Sequence, residues 1–322
     1  MPIDKDERPE VLVVAALMPW VMAQLREHYQ VHDRTHFATD PASVAAFEEA
    51  APRIRAIAAN GEAKVPRALL DRLPAVEVVT VFGVGYDGVD VPAAHERGIP
   101  VTNTPDVLTD DVADLGIALL LAIARRVPQG DRFVREGKWP QGPMPLTRKV
   151  SGARIGIVGM GRIGQAIARR AEAFGMQISY TTRTARADLP YRYSPDATTL
   201  AGEVDFLVAI TPGGDATRGL ISAQVLKALG PDGFFVNVAR GSVADQPALI
   251  AALRDGVIAG AALDVFVDEP NVPAELMAME NVVLSPHMAS GTRQTREAMG
   301  QLMLDNLAAH FAGRPLLTPV GG

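Results

Sequence analysis

The sequence contains no cysteine, which excludes disulfides, thiolate nucleophiles and Cys-ligated zinc or iron–sulfur centres. It also lacks a basic excess. Lys and Arg number 31 against 37 Asp and Glu, a formal net charge of -6, so the positive field that nucleic acid or an anionic membrane would require is missing. No apolar run approaches the ~20 residues that span a bilayer; the longest covers residues 115–124. The start, MPIDKDERPEVLVVAAL, mixes charges where a signal peptide would carry a basic head and a cleavage site, so a soluble, cytoplasmic protein is expected. There is no solenoid-period repeat and no low-complexity segment. What remains is a chain of 322 residues, 48% hydrophobic and 21% charged, which reads as an ordinary globular protein of about two domains with a small-molecule partner.

Short β-branched runs alternate with helix-period segments along most of the chain, the pattern of parallel β-α-β units. The class is α/β with doubly wound parallel sheets. VLVVA, IRAIA and VEVVT are the early strands. Residues 109–126 read as one long helix, with Asp110, Asp111 and Asp114 at its start and Arg125 and Arg126 at its end, matching the helix dipole. Its middle, LGIALLLAIA, is apolar on every side, which predicts cover from another domain or another subunit. From Arg154 onward RIGIVG, QISYT, VDFLVAI, GFFVNV, IAGAALDV and NVVLS read as six strands, a complete doubly wound sheet. A last helix is expected over residues 292–311.

Gly159, Gly161 and Gly164 form GxGxxG directly after a strand and at the opening of a helix. The first permits a tight turn, the second close approach of the backbone to a pyrophosphate, and the third tight helix–sheet packing. A strand ending Tyr180-Thr181-Thr182-Arg183-Thr184 follows, with no acid before Asp188, which lies outside it. Hydroxyls and a guanidinium therefore stand where an NAD site would place a carboxylate, and NADP(H) is the preferred cofactor, with NAD(H) also admitted. The expected cofactor contacts are Gly159, Met160, Gly161, Arg162, Ile163 and Gly164, then Thr182, Arg183 and Thr184, then Thr211, Pro212, Val238 and Ala239. Arg186 is close enough in sequence to assist.

Three later motifs end predicted strands, where ligands collect in open α/β sheets: VARGS, ALDVFVDEP and LSPHMA. They offer a cation, Arg240, a carboxylate, Glu269, and an imidazole, His287. Beside a nicotinamide site that set suits reduction of a 2-keto acid. Arg240 binds the keto and carboxylate oxygens, His287 delivers a proton and Glu269 holds the imidazole charged. Asp264 would face the nicotinamide ring. No metal is expected.

The motifs FGVGYDGVD, VTNTPDVLTDDVADL, GMGRIG, TPGGDATRGLI, NVARGSVADQPALIAAL, ALDVFVDEP and SPHMASGT together resemble the D-2-hydroxyacid dehydrogenase family over nearly the whole chain. The likeness is greatest to NADPH-preferring glyoxylate, hydroxypyruvate and hydroxyphenylpyruvate reductases. The resemblance implies that Arg240, Glu269 and His287 are catalytic, that the backbone N–H groups at Val84 and Gly85 bind the substrate carboxylate, and that Asp264 meets the nicotinamide carboxamide. It implies two Rossmann-like domains with the active site in the cleft between them: residues 1–103 with 288–322 for substrate and residues 104–287 for the dinucleotide. Met288 departs from the smaller Val or Ile common there, and Asn60, Gly61, Leu108 and Met288 are expected to wall the pocket. A homodimer built on residues 109–126 and the Trp139 loop is expected. No tyrosine supplies the Tyr-x-x-x-Lys of a short-chain dehydrogenase. The alternative is a dinucleotide-sensing, corepressor-like protein without turnover.

Overall fold

The computed structural model describes residues 8–34 and 41–321; the mixed-charge start, residues 1–7, lies outside them. The chain forms two compact units, residues 1–108 with 292–322, and residues 109–291. The first carries β1 (Glu10–Val13), α1 (Pro19–His28), β2 (Gln30–Asp33), α2 (Pro41–Ala50), β3 (Ile54–Asn60), α3 (Arg67–Asp71), β4 (Val78–Phe82), α4 (Val91–Glu96) and β5 (Val101–Thr102). The second begins with α5 (Thr109–Ala124), α6 (Val127–Arg135), β6 (Arg154–Val158), α7 (Arg162–Ala173), β7 (Gln177–Thr181), β8 (Arg192–Tyr193), α8 (Ala197–Ala201) and β9 (Phe206–Ala209). It continues through α9 (Ala223–Leu229), β10 (Phe234–Asn237), α10 (Gln246–Arg254), β11 (Gly260–Leu263), α11 (Ala274–Ala278) and β12 (Val282–Leu284), and α12 (Arg293–Phe311) returns to the first unit.

The first unit's sheet runs β2-β1-β3-β4-β5 with every pair parallel. Its central strands are buried almost throughout, as expected where helices cover both faces. Phe47, Leu70 and Ala94 from α2–α4 pack with Leu12, Ile57 and Val79. α12 lies against β4 and α1, and Gly300 makes that approach possible. A Cβ there would sit 2.5 Å from the Trp20 ring. The closing segment pairs with β5, Val320 N–H donating to Val101 O at 2.7 Å.

The second unit's sheet runs β12-β11-β10-β9-β6-β7-β8, again all parallel. Counted from β6, this is the doubly wound order in which strand direction of travel reverses between β6 and β9. α8, α9 and α10 supply Leu200, Leu226 and Leu253 to a core with Leu207, Phe235 and Leu263. α5 packs on α7 and on β10–β12. Asp196, Ser222, Asp245 and Thr292 cap α8, α9, α10 and α12 by accepting backbone N–H groups. Among the described residues no helix is long and apolar enough to cross a membrane.

The structure departs from the sequence reading in three places. The second sheet has seven strands, because Arg192–Tyr193 adds a two-residue edge strand too short to leave a pattern. The long helix stops at Ala124, where Arg126 adopts φ 51° and starts α6. On α5, Val112, Ile117, Leu120 and Ile123 are buried, with α7 and the sheet of the same unit packed on the helix, whereas Asp114 and Ala118 are exposed and Leu115, Leu121 and Ala122 half-buried. The units divide at the starts of α5 and α12, a few residues beyond the expected crossings.

Candidate active site

Because all strands of the second unit are parallel, their C-terminal ends share one edge, and every candidate residue of this unit lies on the segments leaving that edge. Gly159 follows β6 at φ 103°, and a Cβ on it would meet Ile210 O at 2.8 Å, so only glycine fits beside the chain leaving β9. A Cβ on Gly164 would meet Gly159 O at 2.2 Å, while one on Gly161 would meet nothing. The loop is thus closed towards the protein at its first and third glycines and open at its second. α7 begins there without a side-chain cap, so its first N–H groups and dipole suit a phosphate. These features fit a dinucleotide pyrophosphate over Gly159, Met160, Gly161, Arg162, Ile163 and Gly164. Thr211 and Pro212 flank the same point, with Pro212 O accepting from Thr217 Oγ1.

The segment after β7 is held by a tyrosine the sequence reading passed over. Buried Tyr180 accepts from Arg186 N at 2.8 Å and donates to Arg186 O at 3.2 Å. The Arg186 side chain consequently turns onto Met160 O of the glycine loop at 3.2 Å and pairs with Asp188. That pairing holds the Asp188 carboxyl below its ordinary range. Arg183 and Thr184 are exposed, and Thr182 donates to Thr184 O at 2.7 Å, closing a short turn. Arg186 therefore belongs beside the loop, where sequence distance alone gave it a lesser part.

β10 ends at Asn237, whose buried side chain donates to Arg240 O at 3.0 Å and accepts from Ala239 N at 3.1 Å. It folds Val238 and Ala239, both buried, into the turn that presents half-buried Arg240. A Cβ on Gly241 would lie 1.9 Å from Phe266 C and 2.4 Å from Val267 N. That contact brings the arginine turn against the backbone that leads to Glu269.

Glu269 Oε1 accepts from Phe266 N at 2.8 Å, and Oε2 meets His287 Nδ1 at 2.6 Å. Burial pushes the Glu269 carboxyl up, but the bonds to His287 and Phe266 N–H and the charges of His287 and Arg240 outweigh it, so it titrates below the ordinary carboxylate range. The structure brings Arg240, Glu269 and His287 into one cluster. Asp264, by contrast, does not stand open. It is 1% exposed, and its carboxylate accepts from Ser285 Oγ at 2.5 Å, Met288 N at 2.9 Å and Ala289 N at 3.0 Å. Asn237 and Ser285 escaped the sequence reading, although Ser285 stands in the SPH motif itself.

In the first unit, Gly83 N donates to Thr104 Oγ1 at 3.0 Å and Thr104 N to Gly83 O at 2.9 Å, while Asn103 Nδ2 donates to Val84 O at 2.9 Å. These bonds pin the loop carrying Val84 and Gly85. Asn60 Oδ1 accepts from Glu62 N and Ala63 N, so its side-chain carbonyl shapes the turn that follows β3. Met288 of the second unit is 48% exposed.

The family model described as D-isomer specific 2-hydroxyacid dehydrogenase, NAD binding domain, matches residues 117–289. A glyoxylate/hydroxypyruvate reductase of Arabidopsis thaliana is 46% identical over 96% of this chain and 98% of its own. The hydroxyphenylpyruvate reductase of Plectranthus scutellarioides is 45% identical over the same shares. Among solved structures, an NADPH-dependent glyoxylate/hydroxypyruvate reductase of Sinorhizobium meliloti, in complex with NADP and malonate, superposes with a TM-score of 0.90 at 46% identity, covering 98% of this chain and 97% of that one. On this combined ground the chain belongs to the D-isomer specific 2-hydroxyacid dehydrogenase family.

Proposed function

We propose that the protein reduces a small 2-keto acid, glyoxylate, hydroxypyruvate or a close analogue, to the D-2-hydroxy acid with NADPH. The observation that carries the reading is the 2.6 Å contact between His287 Nδ1 and Glu269 Oε2 beside the Arg240 turn. With Nδ1 committed to Glu269, the proton for the substrate oxygen comes from Nε2. Arg240 binds the keto and carboxylate oxygens, and the backbone at Val84 and Gly85 takes the carboxylate. NADPH held over the glycine loop would supply the hydride. Arg183, Thr182 and Thr184, with Arg186 behind them, favour a 2′-phosphate, in keeping with the NADP-bound relative.

The proposal includes a homodimer. Val127, Val134, Trp139 and Leu146 are exposed along one segment of the second unit, Trp139 by 66% and Leu146 fully. Large apolar groups in one stretch suit a surface covered by a second copy of the chain. A panel of glyoxylate, hydroxypyruvate, hydroxyphenylpyruvate and 2-ketogluconate, each with NADPH and NADH, tests the activity. Turnover of at least one acid with NADPH, to the D-product where the product is chiral, supports the reading. Tight NADPH binding with no turnover of any acid would indicate the sensing protein instead.

A further inference from the structure

We propose that Asn103 and Thr104 are positioning residues for the substrate carboxylate, acting by aiming the backbone N–H groups of Val84 and Gly85. The inference rests on the reading that the carboxylate sits on those two N–H groups. The loop that carries them leaves β4 and lies against the segment leaving β5. Three bonds join the two: Thr104 N donates to Gly83 O at 2.9 Å, Gly83 N to Thr104 Oγ1 at 3.0 Å, and Asn103 Nδ2 to Val84 O at 2.9 Å. A trans peptide unit is planar, and its C=O and N–H point in opposite directions. The unit joining Gly83 to Val84 turns its oxygen onto Thr104, and the unit joining Val84 to Gly85 turns its oxygen onto Asn103, neither being cis. The N–H groups of Val84 and Gly85 are therefore both turned away from residues 103–104. Successive N–H groups aimed to one side make a concavity that suits an anion. The first unit is held by a backbone donor, but the second is held by the Asn103 side chain, so a substitution there releases the Gly85 N–H.

The segment that aims the loop is itself held by the end of the chain. Thr318 Oγ1 donates to Asn103 O at 2.6 Å, and Asn103 N donates to Thr318 O at 3.3 Å. Asn306, fully buried on α12, accepts from Leu317 N at 3.0 Å and Thr318 N at 3.1 Å and donates to Thr318 Oγ1 at 2.8 Å. On the other side, buried Thr102 donates its hydroxyl to Thr80 Oγ1 of β4 at 3.0 Å. Residues 102–104 are thus fastened from two sides, and the Asn103 amide reaches Val84 O from a fixed base.

The test compares wild type with Asn103→Ala, Thr104→Val and Thr104→Ser. KM and kcat are measured for glyoxylate with saturating NADPH, the NADPH constant by fluorescence, and the dissociation constant of oxamate, a non-reacting 2-keto acid analogue, by calorimetry on the NADPH-saturated protein. NMR follows the Val84 and Gly85 amide resonances as oxamate is added. Asn103→Ala is expected to raise the glyoxylate KM and the oxamate constant together by about tenfold or more. In that variant kcat should change less than KM, the Gly85 response to oxamate should shrink, and the NADPH constant should stay within about threefold of wild type. Thr104→Val, which removes the acceptor of Gly83 N at nearly constant volume, should raise both constants by about threefold or more, and Thr104→Ser, which keeps the hydroxyl, should match wild type. The proposal is overturned if Asn103→Ala lowers the melting temperature but leaves the oxamate constant and the Gly85 response at wild-type values, as a merely structural residue would. It is equally overturned if kcat falls while the glyoxylate KM and the oxamate constant do not move. Should Asn103→Ala fail to fold, the Thr104 pair decides by the same criteria. Oxamate that leaves the wild-type Val84 and Gly85 resonances unmoved would instead remove the carboxylate reading on which the inference stands.

Discussion

Replacing Glu269 by Gln removes the charge from the carboxylate that meets His287 Nδ1 at 2.6 Å while keeping the side chain's size. Glu269 serves two donors, Phe266 N at 2.8 Å and the imidazole at 2.6 Å, and a glutamine has one carbonyl oxygen to share between them. A hydrogen bond to a charged group contributes about 1.5–3 kcal/mol, and one pH unit corresponds to about 1.36 kcal/mol, so the alkaline limit of kcat/KM should move down by about 1–2 units. The acid side moves differently. The wild-type carboxyl is held below its ordinary range, so the pair is intact above the unfolded carboxyl's value, ~4.3, and is lost only as pH falls through the lower folded value. In Glu269→Gln that acid-side loss disappears. The assay is kcat/KM for glyoxylate with saturating NADPH from pH 4 to 10, and an alkaline limit that does not move refutes the pairing as the source of the donor's charge.

Arg183→Ala should weaken NADPH by about tenfold or more and leave NADH nearly unchanged, measured as kcat/KM for both cofactors; parallel loss of both would contradict the 2′-phosphate reading. Gly241→Ala places a Cβ 1.9 Å from Phe266 C, so melting temperature and kcat should fall together at a cost of about 1–3 kcal/mol or more. A variant as stable and active as wild type would refute that contact. Trp139→Glu should convert a dimer into monomers in sedimentation at micromolar concentration, and a monomeric wild type would reject the dimer.

Much of the second unit was legible in the sequence because its strands are short β-branched runs and its helices carry caps: Ser222 and Asp245 mark the starts of α9 and α10. β2 and β8 were not, since QVHD and a two-residue Arg-Tyr edge have no apolar period to read. β5, two residues long, left as little. The outward side of α5 was hidden for the opposite reason. Ala118, Leu121 and Ala122 are apolar yet face away from its core, so composition carried no sign of direction. In the candidate site, the residue types Arg240, Glu269 and His287 were readable because the chemistry asks for them at strand ends. The directions of Arg186 and Asp264 were not. They depend on which partners the fold brings near, Tyr180 and Met160 for the first, Ser285 to Ala289 for the second.

The central claim is that His287 gives the proton in an NADPH-driven reduction of a 2-keto acid. Its most direct test is the turnover of hydroxypyruvate with NADPH by wild type and by His287→Asn, with NADPH binding measured alongside. The account predicts D-product from wild type, a kcat lower by about 10²–10⁴ in the variant, and NADPH binding retained in both. Near-normal turnover by His287→Asn would contradict it.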